Sequence, residues 1–219
     1  GAVRVLCRAD ASADSGADSG ADAPTDASAD RRTYLARAGV RVPQPYACVD
    51  GVLLMELVTD SEGDVAPRLS EVSMSASEAL DGHAKVIRSV VLMLCAGLVH
   101  GDLSEFNILV DENGPVIIDL PQAVDAAANN NAESMLERDV NKIRDYYGQF
   151  APELLNTQYA KEIWKRFEDG ELNPDVKLTG FFDAPTEAAD VDGVMEEIES
   201  VKAEEESRIE RMKEAENEP

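Results

Sequence analysis

The chain has 219 residues, enough for one ordinary domain with tails, and sets 20 Lys and Arg against 44 Asp and Glu, a net charge of −24. That balance argues against nucleic-acid or anionic-membrane binding through net charge; with no run of 18 apolar residues and no signal-peptide pattern, a soluble cytoplasmic protein is expected. Cys7, Cys48 and Cys95 have neither paired nor metal-ligand spacing, which predicts reduced thiols, and with His83 and His100 the only histidines a zinc site is not expected.

Aspartate recurs every fourth residue at 10, 14, 18, 22, 26 and 30, embedded in Ala, Ser, Gly and Pro. A helix would stack those like charges at i, i+4, so residues 1–30 are expected to be disordered, with an acidic functional tail as the alternative. Thr33 to Ala38 reads as the end of a helix closed by Gly39, with Pro43 and Pro45 beyond it. Tyr46 to Cys48 and Val52 to Val58 then read as two strands around the Asp50-Gly51 turn. Ser75 and Glu78 have capping-box spacing ahead of Leu80, Ala84, Ile87, Val91, Leu94 and Leu98. That apolar stripe has the helical period and predicts a core helix that delivers the chain through Gly97 into a loop.

Asn107 to Val110 and Pro115 to Ile118 are apolar runs separated by Asp111-Glu112-Asn113-Gly114, a hairpin that should bring Asn107 and Asp119 side by side at one end. A helix is predicted over Ala132 to Tyr147, with Asp139 among Leu136, Val140 and Ile143, and Pro152 is placed in the first turn of another. Trp164 and Phe167 on the following helix read as core packing. From Glu187 to Pro219 there are 13 acids and 4 bases, with Val194, Ile198, Val201, Ile209 and Met212 forming a broken apolar stripe. An exposed or lightly docked helix is expected there, with a partner-binding role as the alternative.

The polar residues around the hairpin point to phosphoryl transfer, which needs a carboxylate near the attacking oxygen and a hard cation across the phosphates. Asp102 fits the first role; Asn107 and Asp119 fit the second. An isolated Asp-x-x-x-x-Asn is common by chance, but here His100-Gly101 precede it, an apolar strand follows and Asp119 ends the next strand.

Four stretches resemble the RIO kinases, the bacterial branch in particular: Ala38-Gly39-Val40-Arg41-Val42-Pro43-Gln44-Pro45, Leu53 to Val58, the His100 to Val110 loop, and Ile117 to Asp125. The resemblance runs from about Arg31 to Phe182. Small-molecule phosphotransferases share a His-Gly-Asp loop; Asp119-Leu120-Pro121-Gln122, where ordinary protein kinases have Asp-Phe-Gly, favours RIO. The resemblance implies an α+β, protein-kinase-like fold, with an N-lobe remnant and hinge at 31–58 and a mostly helical C-lobe at 59–182; the acidic helical tail expected from composition follows at 183–219. It implies Mg-ATP-dependent transfer to an unidentified protein serine or threonine, or ATP hydrolysis. Asp102 would be the catalytic aspartate, Asn107 and Asp119 would hold Mg²⁺, and Asp119 would also accept the phosphoryl group as an acyl phosphate. Met55 would border the adenine pocket and Glu56 to Val58 would form the hinge. Leu109 would floor the base, and Ser104 would belong to the nucleotide-binding set. Asp139 is either a brace accepting backbone N–H bonds from the loop or a plain surface acid. Ala151-Pro152-Glu153 looks like the end of an ordinary activation segment, a likeness rejected because three-residue motifs are cheap.

A kinase of this type also needs a glycine-rich loop and a lysine over the phosphates, positioned by a helical glutamate. The first lysine in this chain is Lys85, Gly16 and Gly20 sit in the Asp repeat, and Ser28 stands near where the glutamate would be. Truncation, a sequence artefact and evolved loss all remain open. The alternative to an active kinase is therefore a truncated or pseudokinase module acting through protein contacts without turnover.

Overall fold

The structure is a computed structural model that describes residues 5–8, 27–49 and 52–182. Its strands are β1 (Val5–Arg8), β2 (Pro45–Val49), β3 (Val52–Met55), β4 (Leu98–Val99), β5 (Ile108–Asp111), β6 (Gly114–Ile117) and β7 (Val124–Asp125). Its helices are α1 (Ala27–Arg37), α2 (Ala76–Cys95), α3 (Ala132–Tyr147) and α4 (Tyr159–Glu168). Short 3-10 turns lie at Leu69–Glu71, Glu105–Asn107 and Pro152–Asn156. This is an α+β kinase-like arrangement, with one antiparallel sheet of order β1-β3-β2 and two small ladders, β4-β7 and β5-β6.

The expected disorder of residues 1–30 is corrected at both ends. Val5 to Arg8 pair along the whole of β3, giving the upper sheet a third strand, and α1 begins at Ala27. The signal for β1 was in the sequence, a short apolar run with Val and Leu, and the neighbouring Asp repeat masked it. The rest of that segment and the acidic tail, 183–219, lie outside the described residues. β3 ends at Met55, short of the expected Val58, and the Glu56 N–H beyond it bonds the Gln44 carbonyl at 2.8 Å. Gly39 closes α1 at φ +88, a left-handed cap that a side chain rarely adopts.

Helix α2 starts as its sequence requires, with the reciprocal Ser75 and Glu78 capping box. Its buried face is not the predicted one in the first turns: Ala79, His83 and Val86 are buried, whereas Leu80 and Ala84 face solvent. The face there is filled by a small residue and a histidine, so apolar spacing alone chose the wrong register. Val86, Ile87, Val90, Leu94, Leu136, Val140, Ile143 and Ile163 build the core between α2, α3 and α4, each contributing about 1.5–3 kcal/mol by leaving water. No described helix is long and apolar enough to cross a membrane.

Two charged clips fasten non-helical chain to this core. Arg41 binds Asp111 (2.5 Å) and the Gly114 carbonyl (3.0 Å), while its own carbonyl accepts the Ile117 N–H (2.8 Å). The segment leading into β2 is thereby tied to the β5–β6 hairpin. The second clip is Glu162 on α4, buried, whose carboxylate accepts the N–H groups of Thr179 (2.9 Å) and Gly180 (2.8 Å). Glu162→Ala leaves the buried Gly180 N–H, and the Thr179 N–H beside it, without their acceptor. It is expected to cost about 2–3 kcal/mol and to lower the melting temperature by roughly 5–10 °C, measurable by calorimetry; an unchanged melting temperature would refute the clip.

Candidate active site

The site is assembled from one loop, one hairpin and one helix. β4 pairs with β7, and the chain then turns through His100 and Gly101 into the 3-10 turn Glu105–Asn107 and on into β5. The hairpin registers Ile108 with Ile117 and Asp111 with Gly114, and the Ile118 N–H bonds the Asn107 carbonyl at 3.0 Å. Asn107 and Asp119 are thus neighbours at the open end, as the sequence pattern requires. Asp111 Oδ1 accepts the N–H groups of Asn113 and Gly114, which fixes the two-residue turn.

His100 locks the two halves together. Its Nε2 lies 3.0 Å from the Ile118 carbonyl and its Nδ1 accepts the Asp102 N–H at 3.3 Å, a pattern that only the neutral ring protonated on Nε2 satisfies. Burial holds its pKa below the ordinary histidine value, which keeps the ring in that form. The next residue must be glycine: Gly101 has φ +83, and a β-carbon there would sit 2.6 Å from the Gln122 carbonyl oxygen.

Helix α3 shapes the loop from below. Asp139, 1% exposed, accepts the Gly101 N–H on Oδ2 at 2.8 Å, and Arg138 donates to the Gly101 carbonyl. Burial raises the Asp139 pKa, opposed by the N–H of Leu103, by His100, by the Gly101 N–H and by Arg138. Asp139 is therefore the brace, and the surface-acid alternative is excluded by its burial.

Asp102, Ser104, Glu105, Phe106, Asn107, Asp119 and Lys142 line one cavity of about 450 Å³. Asn107 Nδ2 donates to the Asp102 carbonyl at 2.8 Å, which leaves its amide oxygen as the end suited to a cation. Asp119 has φ +65, the one positive φ outside glycine among the described residues; such strain concentrates at functional positions. Lys142 Nζ lies 3.2 Å from Asp102 Oδ1. The predicted hinge residues stand elsewhere. Met55 is buried at the end of β3, Glu56 is exposed, and Val58 packs with Ala66, Val116 and Leu109 in a small apolar cluster. Met55, Glu56, Val58 and Leu109 are all absent from the lining of the cavity.

The donors present fit magnesium. Asn107 and Asp119 offer the cavity hard oxygens, the donor type that magnesium takes. Sequence reasoning missed His100, Arg138 and Lys142 as individual contributors. The last two did carry a signal, since positions 138 and 142 share a helix face with the loop-bracing Asp139 beside them.

The sequence pattern described as the RIO domain matches residues 30–160. RIO-type serine/threonine-protein kinase Rio1 of Haloferax volcanii is 44% identical over 112 residues, 51% of this chain and 37% of that protein. Rio2 of the same type from Methanocaldococcus jannaschii is 40% identical over 113 residues, 51% of this chain and 40% of the relative. The probable serine/threonine-protein kinase RIO1 homolog of Encephalitozoon cuniculi is 34% identical over 116 residues, 52% of this chain and 29% of the relative. The chain thus matches less than half the length of each, and these relatives do not bear on the bacterial branch. With the matched span covering the loop, the hairpin and the bracing helix just described, the chain belongs to the RIO domain family.

Proposed function

We propose that this chain carries the nucleotide-facing half of a RIO-type serine/threonine kinase or ATPase. The observation that supports it best is the convergence of Asp102, Asn107 and Asp119 on one cavity, with His100 and Asp139 holding the backbone between them. Magnesium, when bound, neutralises phosphate charge, and Asn107 and Asp119 are the residues that would hold it. Asp102 accepts the proton of a serine or threonine hydroxyl as that oxygen bonds the γ-phosphorus and the bond from phosphorus to the β–γ bridging oxygen breaks, releasing ADP. In the ATPase form an Asp119 carboxylate oxygen takes the phosphoryl group instead, and water later returns it as inorganic phosphate.

At the hinge, the Glu56 N–H bonds Gln44 and the Val58 carbonyl bonds the Ala66 N–H. An adenine edge would therefore be met by the Glu56 carbonyl and the Val58 N–H, with Met55 beside it, Leu109 beneath and Ser104 on the phosphate side. The acceptor protein and a cytoplasmic location belong to this same proposal.

Calorimetric titration with Mg-ATP tests it. Wild type is expected to bind, and Asp119→Ala to lose binding; no binding by wild type at millimolar nucleotide would overturn the proposal. That outcome would favour the second reading, a protein-binding module without turnover.

A further inference from the structure

Lys142 reaches from α3 into the cavity shared by Asp102, Asn107 and Asp119. Among the described residues lining that cavity it is the one cation, facing the three carboxylates of Asp102, Glu105 and Asp119. Its aim is fixed by the helix beneath it. Arg138, one turn earlier, and the adjacent Asp139 grip the carbonyl and N–H of Gly101, so α3 cannot rotate without releasing the loop. The Lys142–Asp102 pair itself is half-exposed, at 40% and 54%, and such pairs are worth at most about 1 kcal/mol. Stability gives little reason for it, and so weak a partner is easily exchanged for a stronger one. A terminal phosphate is stronger: it carries more charge than a carboxylate, and an ammonium on a flexible four-carbon stem can follow it.

We propose that Lys142 is a phosphate-contacting residue of this site, specific for the terminal phosphate of a nucleoside triphosphate. Without nucleotide it pairs with Asp102. With nucleotide it turns to the γ-phosphate oxygens, which both adds positive charge there and frees the Asp102 carboxylate to accept a proton. The inference rests on the phosphoryl-transfer reading above and assigns a cation to the phosphate end of that site.

Titrating the 219-residue chain with Mg-ATP and with Mg-ADP gives two dissociation constants whose ratio isolates the terminal phosphate. Wild type is expected to favour Mg-ATP by at least about tenfold, the scale of one charge-assisted hydrogen bond. Lys142→Met should lose that preference while melting within about 2 °C of wild type, since only a surface pair is removed. Lys142→Arg should keep part of it. Asp102→Asn should keep or widen it, because the lysine remains and its competitor is gone.

If Lys142→Met keeps the wild-type ratio, if wild type has no preference, or if Asp102→Asn loses the preference as Lys142→Met does, the inference is overturned while nucleotide binding stands. If wild type binds neither nucleotide, the inference and the phosphoryl-transfer reading fall together.

Discussion

Asp139→Ala is expected to lower the free energy of unfolding by about 2–4 kcal/mol and to abolish nucleotide binding with it. The carboxylate is the acceptor for the Gly101 N–H, 2.8 Å away, and its removal leaves that donor unpaired beneath the loop. Relief of a buried charge offsets part of the loss, because burial raises the Asp139 pKa. Asp139→Asn separates the two effects: it keeps an oxygen for Gly101 and removes the buried charge, so it should cost less than alanine. Urea melts of the three proteins, with Mg-ATP titrations of each, provide the check. If the alanine variant is as stable and binds as well as wild type, Asp139 does not brace the loop.

Between pH 7 and pH 4 the protein should lose about 3 kcal/mol of stability through His83 alone. This histidine is 2% exposed, packed on Tyr147 and Tyr159, and its Nε2 has no hydrogen-bond partner. Burial lowers its pKa from 6.5 to about 4. The unfolded chain therefore binds a proton that the folded chain refuses across that interval, and stability falls as pH falls, by about 1.4 kcal/mol per pH unit. Three kcal/mol is a large part of the roughly 5–15 kcal/mol that holds most domains together. His100, whose pKa burial also lowers, adds to this acid limb. Asp139 acts in the opposite sense: its raised pKa gives a contribution that is complete below the ordinary carboxylate range and is lost as pH rises through the folded value. Comparing wild type with His83→Leu isolates the histidine. The variant should show a clearly shallower acid limb in melts from pH 7 to 4, and parallel limbs would rule the assignment out.

The geometry of the candidate site was legible because its residues are local in sequence. Asp102 and Asn107 lie in one loop, the Asp111-Glu112-Asn113-Gly114 turn fixes the hairpin, and the hairpin delivers Asp119 to Asn107. Capping at Ser75 was equally local. What escaped was set by long-range packing. Which face of α2 turns inward near its start depends on Tyr147 and Tyr159 accepting His83 as a neighbour, and hydrophobic spacing does not encode that. β1 is a strand because β3 is there to pair with it, although its surroundings read as disordered. Asp139 could not be told from a surface acid until α3 was docked, and Glu162 showed its role only once the chain returned at Thr179 and Gly180.

The contacts from α3 to the loop join residues 37, 38 and 40 positions apart in the chain. Closing such long loops is entropically opposed until helix packing compensates. The hairpin can form early from its own turn, but the backbone path through Gly101 has no local template. A partly folded chain that keeps its helices and its β5–β6 ladder would still lack the cradle around Asp102. The backbone around Asp102 is therefore set late in folding, once α3 has packed against the loop.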